Sequence, residues 1–529
     1  MGNFRFCGMF LPIDGKKGDC TEMVRISKII HGAFAAVFLL TIATCIARGY
    51  VKYNALMITA SLILGAAFTV LAIWMYGFLK KRTASLTESQ IDRIFIVIAL
   101  CVLIFQIVAL IFLKSEPVND LSYVNTAAKN FCKTWDRNDL YIGFPSRHYG
   151  YFARYPNNNA LLIILSLIYA ATDQVFGVMP DIVPAIINTA GLNISFWLMY
   201  LISKKVSEDK FTSLYCAMFG ALFTVFYTYT PFYYTDSMSM PFAMLACWLF
   251  LKSLDCKKVF STVALMALSS ICIVVGYKIK GSVIILVPAF LIYLIFILKK
   301  AELKIFFARL ISLLIAVVLA AVAVSGFINS FNLTEKDEYY YREFPLIHWV
   351  MMGLHDRGGY YDEDFWYTEA QGDVDQKTEA DMYMIKKRLS DYGVSGFAGH
   401  IAKKVSYTWA DGTYSIIKFL KHGDNNFIRH FVTKSYGFKG WCTIYQFCLL
   451  FMILASFIFG AGSQSSSKAV LLRIILIGVY VFFLLWEARS RYFVNFSPLF
   501  IVLAADSFKN INSFLQDRAK MRKSCRNQS

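Results

Sequence analysis

The feature that most constrains this chain is the run IFIVIALCVLIFQIVALIFL, residues 94–113, which carries no charge over twenty residues. A helix of that length crosses the hydrocarbon core of a bilayer, and in hydrocarbon only a helix or a closed barrel satisfies its own backbone. Similar runs lie near 27–47, 54–79, 183–202, 211–229, 237–254, 260–277, 281–298, 305–327, 441–463, 470–487 and 492–507. With 57% of its 529 residues hydrophobic and only 17% charged, the chain has too little polar surface to cover a soluble globule. The expected class is an all-α integral membrane protein with about twelve transmembrane helices.

Charge sets the orientation. Lysine and arginine cluster at 80–82, at Lys204, Lys205 and Lys210, at Lys257 and Lys258, at Lys299, Lys300 and Lys304, and in the tail from Lys509 onward. Lys16, Lys17 and Arg25 precede the first run. Cytoplasmic loops collect such residues, so the net charge of +18 reads as topology and not as a nucleic-acid surface. Both termini are then expected in the cytoplasm of a multi-pass cell-membrane protein. One further apolar run, NALLIILSLIYAATDQVFGV (159–178), cannot cross fully without moving the 204–210 and 257–258 clusters outside. It is expected to lie in the outer interface or to re-enter on the same side.

The expected organisation follows. Residues 1–91 form a cytoplasmic N-terminus and two transmembrane helices. Residues 92–327 form a transmembrane core with a first outer loop at 114–182. Residues 328–440 form a long folded extracytoplasmic loop, 441–507 the C-terminal transmembrane helices, and 508–529 a basic tail. The twelve cysteines show no metal-type spacing, and several sit inside apolar runs as small hydrophobes. No disulfide framework is expected.

This sidedness gathers Asp120, Asp236, Lys278, Lys280, Glu487, Arg489 and Arg491 on the outer face. Turns between helices often carry polar residues without a task, and Asp120 and Asp236 both stand where an aspartate would cap a helix. Together, though, carboxylates and cations share one face beside an interface helix and a long aromatic loop. Group transfer from a lipid phosphate suits such a face. Lysine and arginine stabilise the departing phosphate, and a carboxylate takes the proton of an attacking hydroxyl. No Gly-rich phosphate loop or dinucleotide fingerprint is present.

Five segments carry a resemblance, in this order: VNDLSYVNTA, YFARYPNNNALLIILSLIYA, YYTDSMSMPF, YKIKGSVIILVPA and EARSRYF. The chain resembles the GT-C superfamily of membrane glycosyltransferases, most of all bacterial family 39 members and lipid A aminoarabinose transferases, over roughly 92 to 506. The resemblance implies a GT-C-like fold with outer juxtamembrane helices. It implies transfer of a sugar from a polyprenyl-phosphate donor to an acceptor hydroxyl of an extracytoplasmic glycan, lipid or protein, by direct inverting displacement. It further implies Asp120 as the general base, Asp236 as a second acidic residue that positions the acceptor or a cation, and Arg154, Lys280 and Arg491 at the donor phosphate. Tyr155, His348 and Arg489 are the candidate substrate-binding residues. Leu121 stands where many relatives carry Glu, and Ala153 where aminoarabinose transferases carry an acidic residue; both departures argue against a divalent metal, and no other cofactor is expected.

The alternative reading is a transporter or flippase of lipid-linked saccharides. Transporters place substrate near the midplane on broken helices, often in inverted repeats. No repeat relates the halves of this chain, and its ionisable residues gather at the outer ends of the apolar runs. A third reading is a non-catalytic protein whose long outer loop binds a partner.

Overall fold

The computed structural model describes residues 17–48, 55–298, 302–460 and 467–526. Lys16, Lys299 and Lys300 of the basic clusters lie outside them, as do the side chains of Lys17 and Arg25. Among the described residues every regular element is helical. Ten helices are long and apolar enough to cross a membrane by length and composition. Val70, Trp74, Ile104, Phe105, Leu319 and Val322 lie bare on the outside of the bundle, the surface expected against lipid.

The first helices are α1 (Lys17–Arg48), α2 (Ala55–Arg82) and α3 (Glu88–Phe112). Thr87 and Gln90 close a capping box that starts α3. After α3 come α4 (Asp120–Thr134) and α5 (Asn159–Phe176), which pack along each other. Next are α6 (Ile182–Ser207), α7 (Lys210–Ala221), α8 (Met240–Leu254), α9 (Val259–Ile279), α10 (Leu286–Phe296) and α11 (Leu303–Asn329). The long loop holds α12 (Leu346–Gly353) and α13 (Val374–Trp409), and the chain closes with α14 (Tyr436–Ile458), α15 (Ser467–Leu485) and α16 (Ser497–Arg526). The apolar first half of α16 is central: Leu499 to Phe508 is buried against α6, α7 and α14. The two N-terminal helices, which the sequence left without a role, pack on α14, and α1 also meets α13.

The basic clusters are knitted together at one end. Lys204 pairs with Glu88 (2.8 Å) and Asp92 (3.1 Å), Lys468 with Glu208 (3.2 Å) and Asp255 (3.1 Å), and Lys80 with Asp209. Asp120, Asp236, Lys280 and Arg491 lie at the other end. Helix α5 is among the ten by composition, yet both its ends sit at the Asp120 end. Near its start, Asn158 reaches Tyr151; near its finish, the Tyr169 hydroxyl lies 2.8 Å from Asp181, which also accepts from Asn125 of α4 at 3.0 Å. From Asp181, α6 then runs to Lys204 at the basic end.

The expected count of twelve differs from the ten for physical reasons. The passage 210–234 is cut: α7 stops at Ala221, and TPFYYTD continues in short turns where Pro231 denies the helix a donor. Gly281–Phe296 is a shorter apolar helix, and α16 turns polar in its second half.

Candidate active site

Asn119 takes a left-handed backbone (φ 54°) and turns the chain so that Asp120 opens α4. Leu121, Val124, Ala128 and Phe131 are buried, which leaves the Asp120 carboxylate at the edge, 45% exposed. Its side chain caps nothing. It accepts from the Tyr151 hydroxyl at 3.2 Å. Tyr151 accepts in turn from Asn158 Nδ2 at 2.9 Å, and Asn158 Oδ1 from Tyr234 at 3.1 Å.

Asp236 lies in the short turn 235–238 and is wholly buried. Lys280 breaks away from the end of α9 in extended conformation (φ −144°, ψ 111°), which brings its ammonium to Asp236 Oδ1 at 2.6 Å. Arg491 stands between the two carboxylates, 3.5 Å from Asp236 Oδ2 and 3.9 Å from Asp120 Oδ2. Its guanidinium is boxed by the rings of Tyr234 (5.5 Å), Phe419 (5.3 Å) and Tyr492 (5.2 Å). Burial pushes the Lys280 ammonium down from its ordinary value, against the pull of Asp236. Two buried cations thus share one buried carboxylate, with Asp120 at the rim. Asp236 Oδ2 and Arg491 Nε are buried without a hydrogen-bond partner. Asp236 Oδ2 is met by the Arg491 ion pair at 3.5 Å, which leaves the Arg491 Nε donor as the buried polar atom without a match.

The turn that carries Arg491 is clamped by the long loop. Glu487 N donates to Trp349 O and Ala488 N to Gly358 O, both at 2.8 Å. Asp411 accepts from Ser490 (2.8 Å) and from both the amide and hydroxyl of Thr413 and Ser415. Behind the turn Lys404 is fully buried, donating to Gly353 O at 2.7 Å. Burial pulls its amine down to about 7 from 10.5, with Glu487 opposing. Between those values the unfolded chain holds a proton the folded chain has lost, so stability rises with pH across that window and is flat below it. The midpoint of thermal unfolding is expected to climb from pH 7 to 9 by scanning fluorimetry, and Lys404→Met to flatten that climb.

Two expected site residues serve the loop, and a third stays within its own turn. Arg154 is 3% exposed and forms a two-pronged pair with Glu369 (Nε to Oε2 2.9 Å, Nη2 to Oε1 2.6 Å), so its donors are taken by a carboxylate of the long loop. Glu369→Gln should strand that guanidinium and lower stability by about 3 kcal/mol, read as a lower unfolding midpoint and faster proteolysis within 330–435. His348 is fully buried, bonded to Thr368 at 2.7 Å and 3.8 Å from Asp381; burial pushes its imidazole down to about 4, so it is a neutral core residue of the loop. Arg489 faces Glu487 at 3.7 Å. Tyr155 does border the site, its ring 5.0 Å from that of Tyr151 and 6.0 Å from Trp349.

Tyr151, Asn158, Tyr234 and Tyr492 were not singled out by the sequence, although each stands a short way along the chain from a residue that was. Asp411, Glu369 and Lys404 gave no signal there, because the contacts that tie them to the site, to Ser490, Arg154 and Gly353, are distant in the chain. Among the described residues no group of three or more His, Cys, Asp or Glu is placed to hold a metal ion.

The chain is similar to several solved structures. The apo oligosaccharyltransferase of Archaeoglobus fulgidus is 13% identical, with a TM-score of 0.41 over 84% of this chain and 52% of that one. The same organism's oligosaccharyltransferase AglB, solved with an inhibitory peptide and a dolichol-phosphate, is 14% identical with a TM-score of 0.37, over 82% of this chain and 52% of that one. ArnT of Cupriavidus metallidurans, bound to undecaprenyl phosphate, is 11% identical with a TM-score of 0.29, over 79% and 77%. The chain spans about half the length of the archaeal proteins. No curated protein sequence matches it. A family model described as "conserved hypothetical integral membrane protein" matches residues 23–511, nearly the whole chain. The chain belongs to that family of integral membrane proteins.

Proposed function

We propose that this protein transfers a sugar from a polyprenyl-phosphate donor to an acceptor hydroxyl at the extracytoplasmic face of the membrane. The observation that carries the reading is the buried Asp236–Lys280–Arg491 cluster with half-exposed Asp120 at its rim. Ionisable residues at membrane depth are expensive and mark function by default. Here their arrangement suits a lipid phosphate, which lies at headgroup level with its tail among the helices.

The chemistry balances as follows. The acceptor oxygen attacks the anomeric carbon, a new carbon–oxygen bond forms, and the bond to the phosphate oxygen breaks. The acceptor proton passes to Asp120. The bonding electron pair leaves with the polyprenyl phosphate, whose added negative charge meets Lys280 and Arg491. Asp236 fixes both cations and lies too deep to touch the acceptor. Because these charges are set before the reaction, they stabilise the departing phosphate without reorganising.

The test is transfer by purified protein in nanodiscs, from a panel of radiolabelled polyprenyl-phosphate sugars to acceptors in membrane extract. Transfer from one donor class is expected. Tight lipid binding with no transfer from any donor overturns the enzyme reading in favour of a lipid-linked saccharide transporter.

A further inference from the structure

We propose that Tyr492, held by Glu487, is a positioning residue that sets the two cations of the site; the inference rests on the function proposed above. Its ring centre lies 4.3 Å from Lys280 Nζ and 5.2 Å from the Arg491 guanidinium carbon. One aromatic ring thus serves both cations. Its hydroxyl donates to both oxygens of Glu487, at 2.9 and 3.1 Å. Glu487 is 4% exposed and is anchored by its own amide to Trp349 O. A line of contacts therefore runs from the long loop through Glu487 and Tyr492 to the cations.

The physical need is clear from the geometry. Lysine has a flexible four-carbon stem, and a buried carboxylate at 2.6 Å competes with any incoming phosphate for its ammonium. An aromatic face attracts a cation without neutralising it. Tyr492 thus offers Lys280 a second seat that leaves its charge available. The hydroxyl tether to Glu487 keeps the ring from rotating away when substrate enters.

The test uses the full chain in nanodiscs and two readouts. In the first, Lys280 is acylated with an amine-directed reagent and quantified by peptide mass spectrometry against exposed Lys387. Tyr492→Leu, which removes the ring, is expected to raise Lys280 labelling about fivefold or more, as for loss of a desolvated cation–π contact. Tyr492→Phe keeps the ring but cuts its tether and is expected to raise labelling only about two- to threefold, as Glu487→Gln does. Labelling unchanged in Tyr492→Leu overturns the proposal. Should that variant not fold, Glu487→Gln carries the same test: it frees the ring, and labelling is expected to rise about two- to threefold, no rise being the overturning result.

The second readout is transfer kinetics. Tyr492→Leu is expected to lower kcat about tenfold with the acceptor KM unchanged, since the cations act on the leaving group in the transition state. Tyr492→Phe and Glu487→Gln are each expected to lower kcat about threefold, and the double variant no further, because both remove one tether. Additive losses overturn the coupling. If Lys280 labelling responds as expected while wild type transfers no sugar, the positioning role stands and the glycosyltransferase reading falls.

Discussion

Asp120→Asn is expected to lower the rate of sugar transfer on the order of 10²-fold or more while leaving the protein folded. Asparagine keeps the size and the acceptor oxygen that Tyr151 needs, so the chain Tyr151–Asn158–Tyr234 survives. The ion pair lost is the long one, 3.9 Å to Arg491, on a half-exposed carboxylate. Such pairs contribute about 0–1 kcal/mol, so the unfolding midpoint should barely move. What disappears is the group proposed to take the acceptor proton, an interaction made only as the transition state forms. Hence kcat and kcat/KM are expected to fall together, with the donor KM unchanged. Full activity in this variant would return Asp120 to a local role, holding Tyr151 and Arg491.

Asp236→Asn makes the opposite pattern: a large loss of stability together with loss of transfer. Asp236 is the one fully buried carboxylate facing Lys280 and Arg491. Without it two cations face each other with the rim carboxylate of Asp120 on one side and Glu487 beyond the Tyr492 ring on the other. Breaking a buried pair this way destabilises by about 3–5 kcal/mol, read as a clear drop in the unfolding midpoint. A compensating change separates structure from chemistry. Adding Lys280→Met to Asp236→Asn removes one stranded cation and is expected to recover most of the midpoint. Transfer is expected to stay lost, because the phosphate then meets one cation in place of two. Recovery of activity along with stability would mean that Lys280 only balanced Asp236.

The sequence made four members of this site legible for one reason. Asp120, Asp236, Lys280 and Arg491 each stand where an apolar run ends, and loop charge assigned those ends to one side. Which charge meets which was not legible, since Lys280 and Asp236 are 44 residues apart and nothing local links them. Arg154 shows the same limit more sharply. The family resemblance implied a phosphate contact for it, while its partner Glu369 lies 215 residues on, in a loop whose packing no periodicity describes. His348 was expected among the substrate-binding residues and is instead buried in the core of that loop. The passage 210–234 misled because hydropathy counts aromatic turn residues as it counts a helix. Gly353 also escaped notice. A Cβ there would lie 2.7 Å from Leu485 O and 2.9 Å from Lys404 Nζ, so a side chain would pry the loop from the turn that carries Arg491.

The order in which the chain is made gives that turn a further meaning. As the protein is threaded into the bilayer, Asp236 enters first, and Lys280 reaches it with the return of α9. Arg491 follows only after the loop that clamps its turn and after α15 have been synthesised. A chain synthesised only that far holds the Asp236–Lys280 pair without the Arg491 guanidinium. The cluster on which the proposed transfer rests is therefore complete only once the turn after α15 has been made.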